Sequence, residues 1–408
     1  MAPTCSWVLL PRSIPIEYDP SEAGRERTIR VAKTSGVLPS RQDRTNAVYA
    51  YLRTLKPAPR FAEPPELSTL RILRPTSAII PTLCRQITSA YIASADKNLV
   101  ALFADPYRPG YNSEGGYLIY DASKNSLATI PQPPYDYGRL DVGRGAVVMC
   151  LDDGGYVLGE LTKISASDPT EVVLCTWRSS TANWAVAKVT SFPSELSYPN
   201  HIFGADTCFS YRGSTLCWVD LFKGMVLCDL DRGAHPELRF VPLPAECPTY
   251  DRGQIHNRTL EPQEFRSASC VGGIIKFVTM DGYGELPGNE VTLSIWTLSP
   301  DLCTWMKGNT YHIVRDIWAS ESHLSLGLPQ VLPSFPVLSM DGDDVVYLIF
   351  TDLDDRGEGQ VEFKSQYLLR VDMQHSKVSH HQISTDQLPF QLFTNEILAS
   401  ECSSYIST

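Results

Sequence analysis

Thr215-Leu216-Cys217-Trp218-Val219-Asp220-Leu221-Phe222-Lys223-Gly224-Met225-Val226-Leu227-Cys228-Asp229-Leu230 holds two short runs, Leu216–Val219 and Met225–Cys228, in which every residue is apolar. Runs like these belong to strands buried on both faces. Such strands cannot stand alone in water, so the sheet that contains them must be covered on each side by another. Working outward, Thr207–Tyr211 precedes them through the tight turn Arg212-Gly213-Ser214, and the weaker Leu238–Pro244 follows. The unit is therefore a quartet: an opening strand, two strongly apolar strands, and a final strand of lower β propensity.

The quartet recurs along the chain. One group reads Ile87–Ala95, Asn98–Asp105, Gly116–Asp121 and Leu127–Pro131, and the next Ala146–Asp152, Tyr156–Ile164, Glu171–Trp177 and Trp184–Phe192. Two more read Ser267–Val271, Ile274–Met280, Val291–Leu298, Thr304–Val314, and Val337–Met340, Val345–Thr351, Tyr367–Met373, Lys377–Ile383. Asp153-Gly154-Gly155 and Gly272-Gly273 supply hairpin turns. The first 75 residues parse less regularly as Trp7–Leu10, Thr28–Lys33, Val48–Arg53 and Leu67–Leu73, which makes a sixth group. Radial packing of four-stranded antiparallel sheets is a β-propeller, here of six blades in an all-β chain. Equivalent positions recur every ~45 to ~70 residues, looser than regular propellers, and surface insertions absorb the difference at small entropic cost. The expected organisation is N-terminal strands of a less regular blade over 1–80, blades two to six over 81–390, and a C-terminal helix or closing strand over 391–408. A β-sandwich is the rival, but it does not predict fours. Val48, Tyr51, Leu52 and Leu55 also fall at helical spacing, with Asp43 as a cap and Pro57 as a stop; alternation favours the strand reading.

Composition bounds the rest. The chain has 408 residues, 43% hydrophobic and 20% charged, with 7 Trp, 19 Tyr and 14 Phe, enough bulk for a large core. A net charge of −11 argues against nucleic-acid binding through bulk charge. No apolar run approaches the ~18 residues of a membrane span, and Pro11 and Arg12 cut short the only N-terminal apolar run. Eleven dispersed Cys, several inside strands (Cys150, Cys175, Cys217, Cys228), read as buried reduced thiols, and the Asn257-Arg258-Thr259 triplet means little without a leader. Cytoplasm or nucleus is the expected location.

Motifs for chemistry fail on inspection. Asp352-Leu353-Asp354-Asp355-Arg356-Gly357 opens like a calcium loop, but Arg356 and Phe363 occupy ligand positions, so it reads as a solvated acidic loop. Gly282, Gly284 and Gly288 precede no helix and read as turn glycines. No nucleophile elbow, Walker loop or His-Glu-x-x-His pattern occurs. His375, His380 and His381 flank an outer strand without a matching Cys or carboxylate, and Trp184 and Trp305 read as packing between blades. No catalytic residue, cofactor or metal is expected. Two loops carry residue types enriched at binding hot spots: Tyr107, Arg108 and Tyr111 in one, and Tyr135, Tyr137 and Arg139 in the other.

An ordered set of motifs resembles the plant, mainly grass, domain-of-unknown-function 1618 family. It comprises Ser6–Leu10, Cys217–Leu221 with Gly224 and Cys228–Leu230, Ile275–Val278, Trp296–Leu298, Asp316–Trp318, Pro336–Met340 through Asp344–Leu348, and Tyr367–Asp372. The resemblance strengthens the fold and brings no catalytic residue. The layout is also similar to the substrate-binding part of F-box proteins, though the N-terminus shows no F-box. The expected function is a non-enzymatic platform that binds a protein or peptide through loops on rigid blades; the alternative is an enzyme or small-ligand binder using the central channel.

Overall fold

The structure, a computed structural model, describes residues 6–22, 40–76, 83–105, 115–133, 143–163, 172–189, 193–196, 203–231, 236–249, 261–286, 288–312, 314–341, 344–355, 361–384 and 396–406. It is a β-propeller. Successive hairpins build five antiparallel quartets, each running from an inner to an outer strand. They are β5–β8 (Ser89–Asp96, Leu99–Ala104, Gly116–Asp121, Ser126–Ile130) and β9–β12 (Val147–Cys150, Tyr156–Lys163, Val172–Arg178, Asn183–Lys188). Next come β13–β16 (Thr207–Tyr211, Thr215–Asp220, Gly224–Asp229, Leu238–Pro242) and β17–β20 (Arg266–Val271, Ile274–Asp281, Thr292–Leu298, Trp305–His312). The fifth is β21–β24 (Ser334–Leu338, Val345–Asp355, Val361–Asp372, Lys377–Gln382).

The sixth position is a composite. β1 (Val8–Pro11) pairs antiparallel with β25 (Ile397–Ser400) and touches the segment before β4 (Thr69–Arg74) through a parallel bridge between Leu9 and Leu67. β2 (Ser13–Tyr18) continues past Arg12, parallel to β4 on one side and antiparallel to β5 on the other. β3 (Lys56–Arg60) flanks β4 on the outside. The inner strands then touch in sequence around a closed circle: β5, β9, β13, β17, β21, β25 and back to β5.

Alternation along the middle strands is what seals the circle. In β14, Leu216 and Trp218 pack with Met149 and Val157 of the preceding sheet, while Cys217 and Val219 pack with Phe277 and Trp296 of the following one. β6 does the same, with Val100 and Leu102 against Ile14 and Ile72 and with Phe103 against Leu158 and Trp184. Six apolar clusters, each shared by neighbouring sheets, complete the ring. At Gly224, φ is +155° and an added Cβ would lie 2.4 Å from the Val241 carbonyl, so glycine is required where β15 leaves its tight turn.

Two local expectations are corrected. Residues 48–53 are not a strand: α1 spans Arg41–Leu52, opened by a capping box in which Ser40 and Asp43 bond reciprocally. Val48, Tyr51, Leu52 and Leu55 all enter one cluster, so the helical spacing prevails over alternation. The acidic stretch Asp352–Asp355 is not a loop, because β22 runs on through Asp355 paired with β23, and Lys364 meets Asp354 at 3.5 Å. The proposed strand Thr28–Lys33 lies outside the described residues. At the C-terminal end the closing strand β25 is followed by a short 3-10 turn, Cys402–Tyr405. Cys150, Cys175, Cys217 and Cys228 are buried free thiols, and burial pushes the first two up to about 12.

Candidate functional site

Strand alternation gives the ring two unlike faces. One carries the links from first to second and from third to fourth strands, and none of these turns exceeds the eight residues 230–237; two of them, 97–98 and 272–273, are two residues long. At their opposite ends the strands are joined by the connections 105–115, 131–146, 189–206, 243–265, 282–291, 313–333 and 383–396. The shorter links on that side are 164–171, 221–223 and 356–360, and the last joins the two longest strands among the described residues. These will be called the turn face and the loop face.

At the loop-face ends of four inner strands, charged residues stand at or within three residues before the first strand residue. Arg144 precedes β9, Asp206 precedes β13, Arg266 opens β17 and Glu396 precedes β25. Arg12 enters from the break between β1 and β2. Its guanidinium donates to the Ile92 and Ala93 carbonyls at 2.8 and 3.0 Å and to Thr207 Oγ1 at 3.1 Å, with Nε 3.7 Å from Glu396. Glu396 also accepts from Tyr91 Oη at 2.7 Å and Arg144 Nη2 at 3.1 Å, and both guanidiniums lie 5.8 Å from the Tyr91 ring centre. Burial, and then the Glu396 charge, push the Tyr91 hydroxyl up to about 12, against the opposing pull of the two arginines. Asp206 accepts from Leu221 N at 2.8 Å and Gln263 Nε2 at 3.2 Å. Arg266, 1% exposed, donates to the Leu221 and Pro248 carbonyls at 2.9 and 2.8 Å.

This cluster is a plug. The space left among Arg12, Asp206, Gln263, Arg266 and Glu396 is about 60 Å³, room for a few waters. Both carboxylates accept hydrogen bonds from the protein's own donors. A larger cleft of about 350 Å³ lies on the turn face between the first two quartets, lined by Lys97, Asn98, Asp121, Lys124 and Cys150. There burial alone would raise Asp121, but bonds from Lys124, Ser123 and Asn98 outweigh it and hold the carboxyl down to about 2. Burial, and then the Asp96 charge, push the Cys150 thiol up to about 12.

The expected contact residues Tyr107, Arg108, Tyr111, Tyr135, Tyr137 and Arg139 lie outside the described residues. Both connections that carry them leave from the loop face, because Ala104, Gly116 and Ile130 end at one edge of the first quartet. The second is tied down at both ends. Trp184 Nε1 donates to the Pro131 carbonyl at 2.8 Å, and Gly143 N donates to Glu160, a carboxylate 1% exposed that also accepts from Tyr117 Oη. Trp184 and Trp305 pack as expected, edge-on or tilted against Tyr117, Trp177 and Phe277.

His375 and His380 do not converge: His375 meets Asp372 at 3.0 Å, whereas His380 Nε2 lies 3.2 Å from His323 Nδ1. Among the described residues no group of three or more His, Cys, Asp or Glu could hold a metal. The channel plug was missed by motif reading, which looks for groups close in sequence. The signal that could find it is positional, a charged residue at the entrance to successive apolar quartets.

Residues 218–347 match the family model described as "Protein of unknown function (DUF1618)". Over this span the chain resembles that family. Trp218, Phe277, Trp296, Ile317 and Tyr347 within the matched span are all buried. None of the curated proteins matches the sequence. Among solved structures, the β-propeller domain of the Trilobed protease from Pyrococcus furiosus is 10% identical with a TM-score of 0.33, covering 72% of this chain and 70% of that one. An α-L-arabinanase from Penicillium chrysogenum, solved with arabinobiose, is 12% identical with a TM-score of 0.33 over 66% of this chain and 77% of that one. A GH43 β-1,3-galactosidase gives 11%, a TM-score of 0.32 and coverages of 74% and 60%. No helix among the described residues is long and apolar enough to cross a membrane.

Proposed function

We propose that this protein is a non-enzymatic interaction platform, a rigid ring presenting its long connections on one face to another protein or peptide. The observation that carries the reading is the asymmetry between faces: turns of at most eight residues on one, and connections such as 131–146, 243–265 and 313–333 on the other. Insertions spread at random would lengthen both. Loops held at their ends by a rigid scaffold are where binding residues concentrate, and the ends of 131–146 are so held. The channel alternative has less support, since its mouth leaves about 60 Å³, against the roughly 300–1,000 Å³ of small-molecule sites. Buried reduced thiols favour the cytoplasm or nucleus.

The test is affinity capture from source tissue with three baits: wild type, a loop-face variant (Tyr135, Tyr137 and Arg139→Ala) and a turn-face variant (Lys97 and Lys124→Ala). Recovery of a specific partner should fall about tenfold or more with the loop-face bait alone. Equal loss from the turn-face bait, or no partner on any bait, would overturn the platform reading.

A further inference from the structure

Of the nine large hydrophobic residues that are exposed among the described residues, four lie in connections next to the fourth quartet rather than in its strands: Leu286, Leu324, Leu326 and Val331, at 46, 65, 48 and 46%. They belong to two loop-face connections of the fourth quartet, 282–291 and 313–333. The second forms a turn of π-helix over Val314–Trp318 and then α2, Glu321–Ser325, whose Ser320 cap accepts from His323 N.

Trp318 joins the two connections. Its Nε1 donates to the Val331 carbonyl at 3.2 Å, and its ring lies so close to Gly288 that a Cβ there would sit 3.0 Å from Cη2. Beneath α2, His323 is 2% exposed, edge-on to Phe350 and bonded to His380 of β24, so the outward-facing leucines ride on a buried anchor. The patch is therefore supported from below and apolar outside. Scattered single hydrophobics need no explanation; a group carried by two mutually packed connections does.

The charge of the two connections is predominantly acidic. Glu285, Glu290 and Glu321 are exposed, and over 281–291 and 313–333 five acidic residues, Asp281, Glu285, Glu290, Asp316 and Glu321, stand against the single basic residue Arg315. A second copy of this chain would set carboxylates against carboxylates, and an anionic membrane would be repelled for the same reason. We infer that this patch docks a protein segment that offers two or more large apolar side chains flanked by Lys or Arg. The inference rests on the platform reading and names the surface and the chemistry of its partner. Apolar side chains would cover the leucines, and the basic flanks would meet the glutamates and steer the encounter.

A random peptide library displayed on phage, selected on the wild-type protein at low salt, tests this. The expected winners carry Leu, Phe or Trp between Lys or Arg residues, and they weaken as NaCl is raised. They should lose about tenfold or more in affinity on a triple variant, Leu324→Glu, Leu326→Glu and Val331→Glu, whose melting temperature stays near wild type because all three sites are exposed. Winners without basic residues, or winners that bind the triple variant as well as wild type, would overturn it. So would a wild-type dimer that the triple variant abolishes, since the occupant would then be a second copy. Winners lost instead on the Tyr135, Tyr137 and Arg139→Ala variant would sink this inference and leave the platform reading standing.

Discussion

The third quartet and the sixth position of the ring do the same job by opposite means. β13 to β16 are joined by short links, so nearly all their pairing is between neighbours in sequence. The sixth position instead brings Val8 beside Ser400 and Arg12 beside Glu396, contacts between the two extremes of the chain. The quartet is held by apolar side chains on two faces. The composite adds a buried ionic and hydrogen-bonded cluster where its strands are too short to seal the circle alone. Local pairing costs little loop-closure entropy, whereas the composite has to bring together residues nearly a whole chain apart.

The sharpest break is Trp218→Ala. Trp218 is fully buried between the second and third quartets and donates to the Gly145 carbonyl at 2.7 Å. Its loss should cost about 4 kcal/mol, read as a lowered urea midpoint. A smaller effect, about 3 kcal/mol, is expected of Arg12→Ala, which strips a buried guanidinium from Glu396, Thr207 and two carbonyls. Hydrogen exchange should quicken in β1 and β25 while β14 and β15 stay protected; uniform quickening would deny that the composite opens on its own.

The smallest effect concerns pH and sets α2 against both regions. Burial, and then the neighbouring His323, depress His380 from 6.5 to about 4. The unfolded chain therefore takes up this proton first, so stability is full above about pH 6.5 and declines as pH falls toward 4. His380→Gln should flatten the decline in melting temperature over that window, and a slope identical to wild type would contradict the assignment.

The same contrast explains what could be read in the sequence. The five quartets are legible because each strand announces itself by alternation or by an apolar run and each turn by Gly, Asp or Asn, all within a few dozen residues. The composite is not, since nothing near Val8 says that its partner is Ser400. α1 was obscured because Val48, Ala50 and Leu52 satisfy the period of a strand, while Val48, Tyr51, Leu52 and Leu55 satisfy that of a helix, and only the packing in the shared cluster separates them. The plug escaped for the reason the composite did: Arg12, Arg144, Asp206 and Glu396 converge only when the circle closes. The glutamate-bordered patch was half visible, as leucines in a connection whose only basic residue is Arg315, but its exposure depends on the anchor beneath α2.

The antiparallel register of β1 with β25 has a mechanical consequence. Val8 and Ser400 form the outermost pair, so both chain ends leave from the same end of the ladder. Tension applied between the N- and C-termini would load the hydrogen bonds of this pair one after another and peel the seam apart, where a sheared ladder would share the force among all of them. The ring should thus resist heat and denaturant far better than it resists being pulled by its ends.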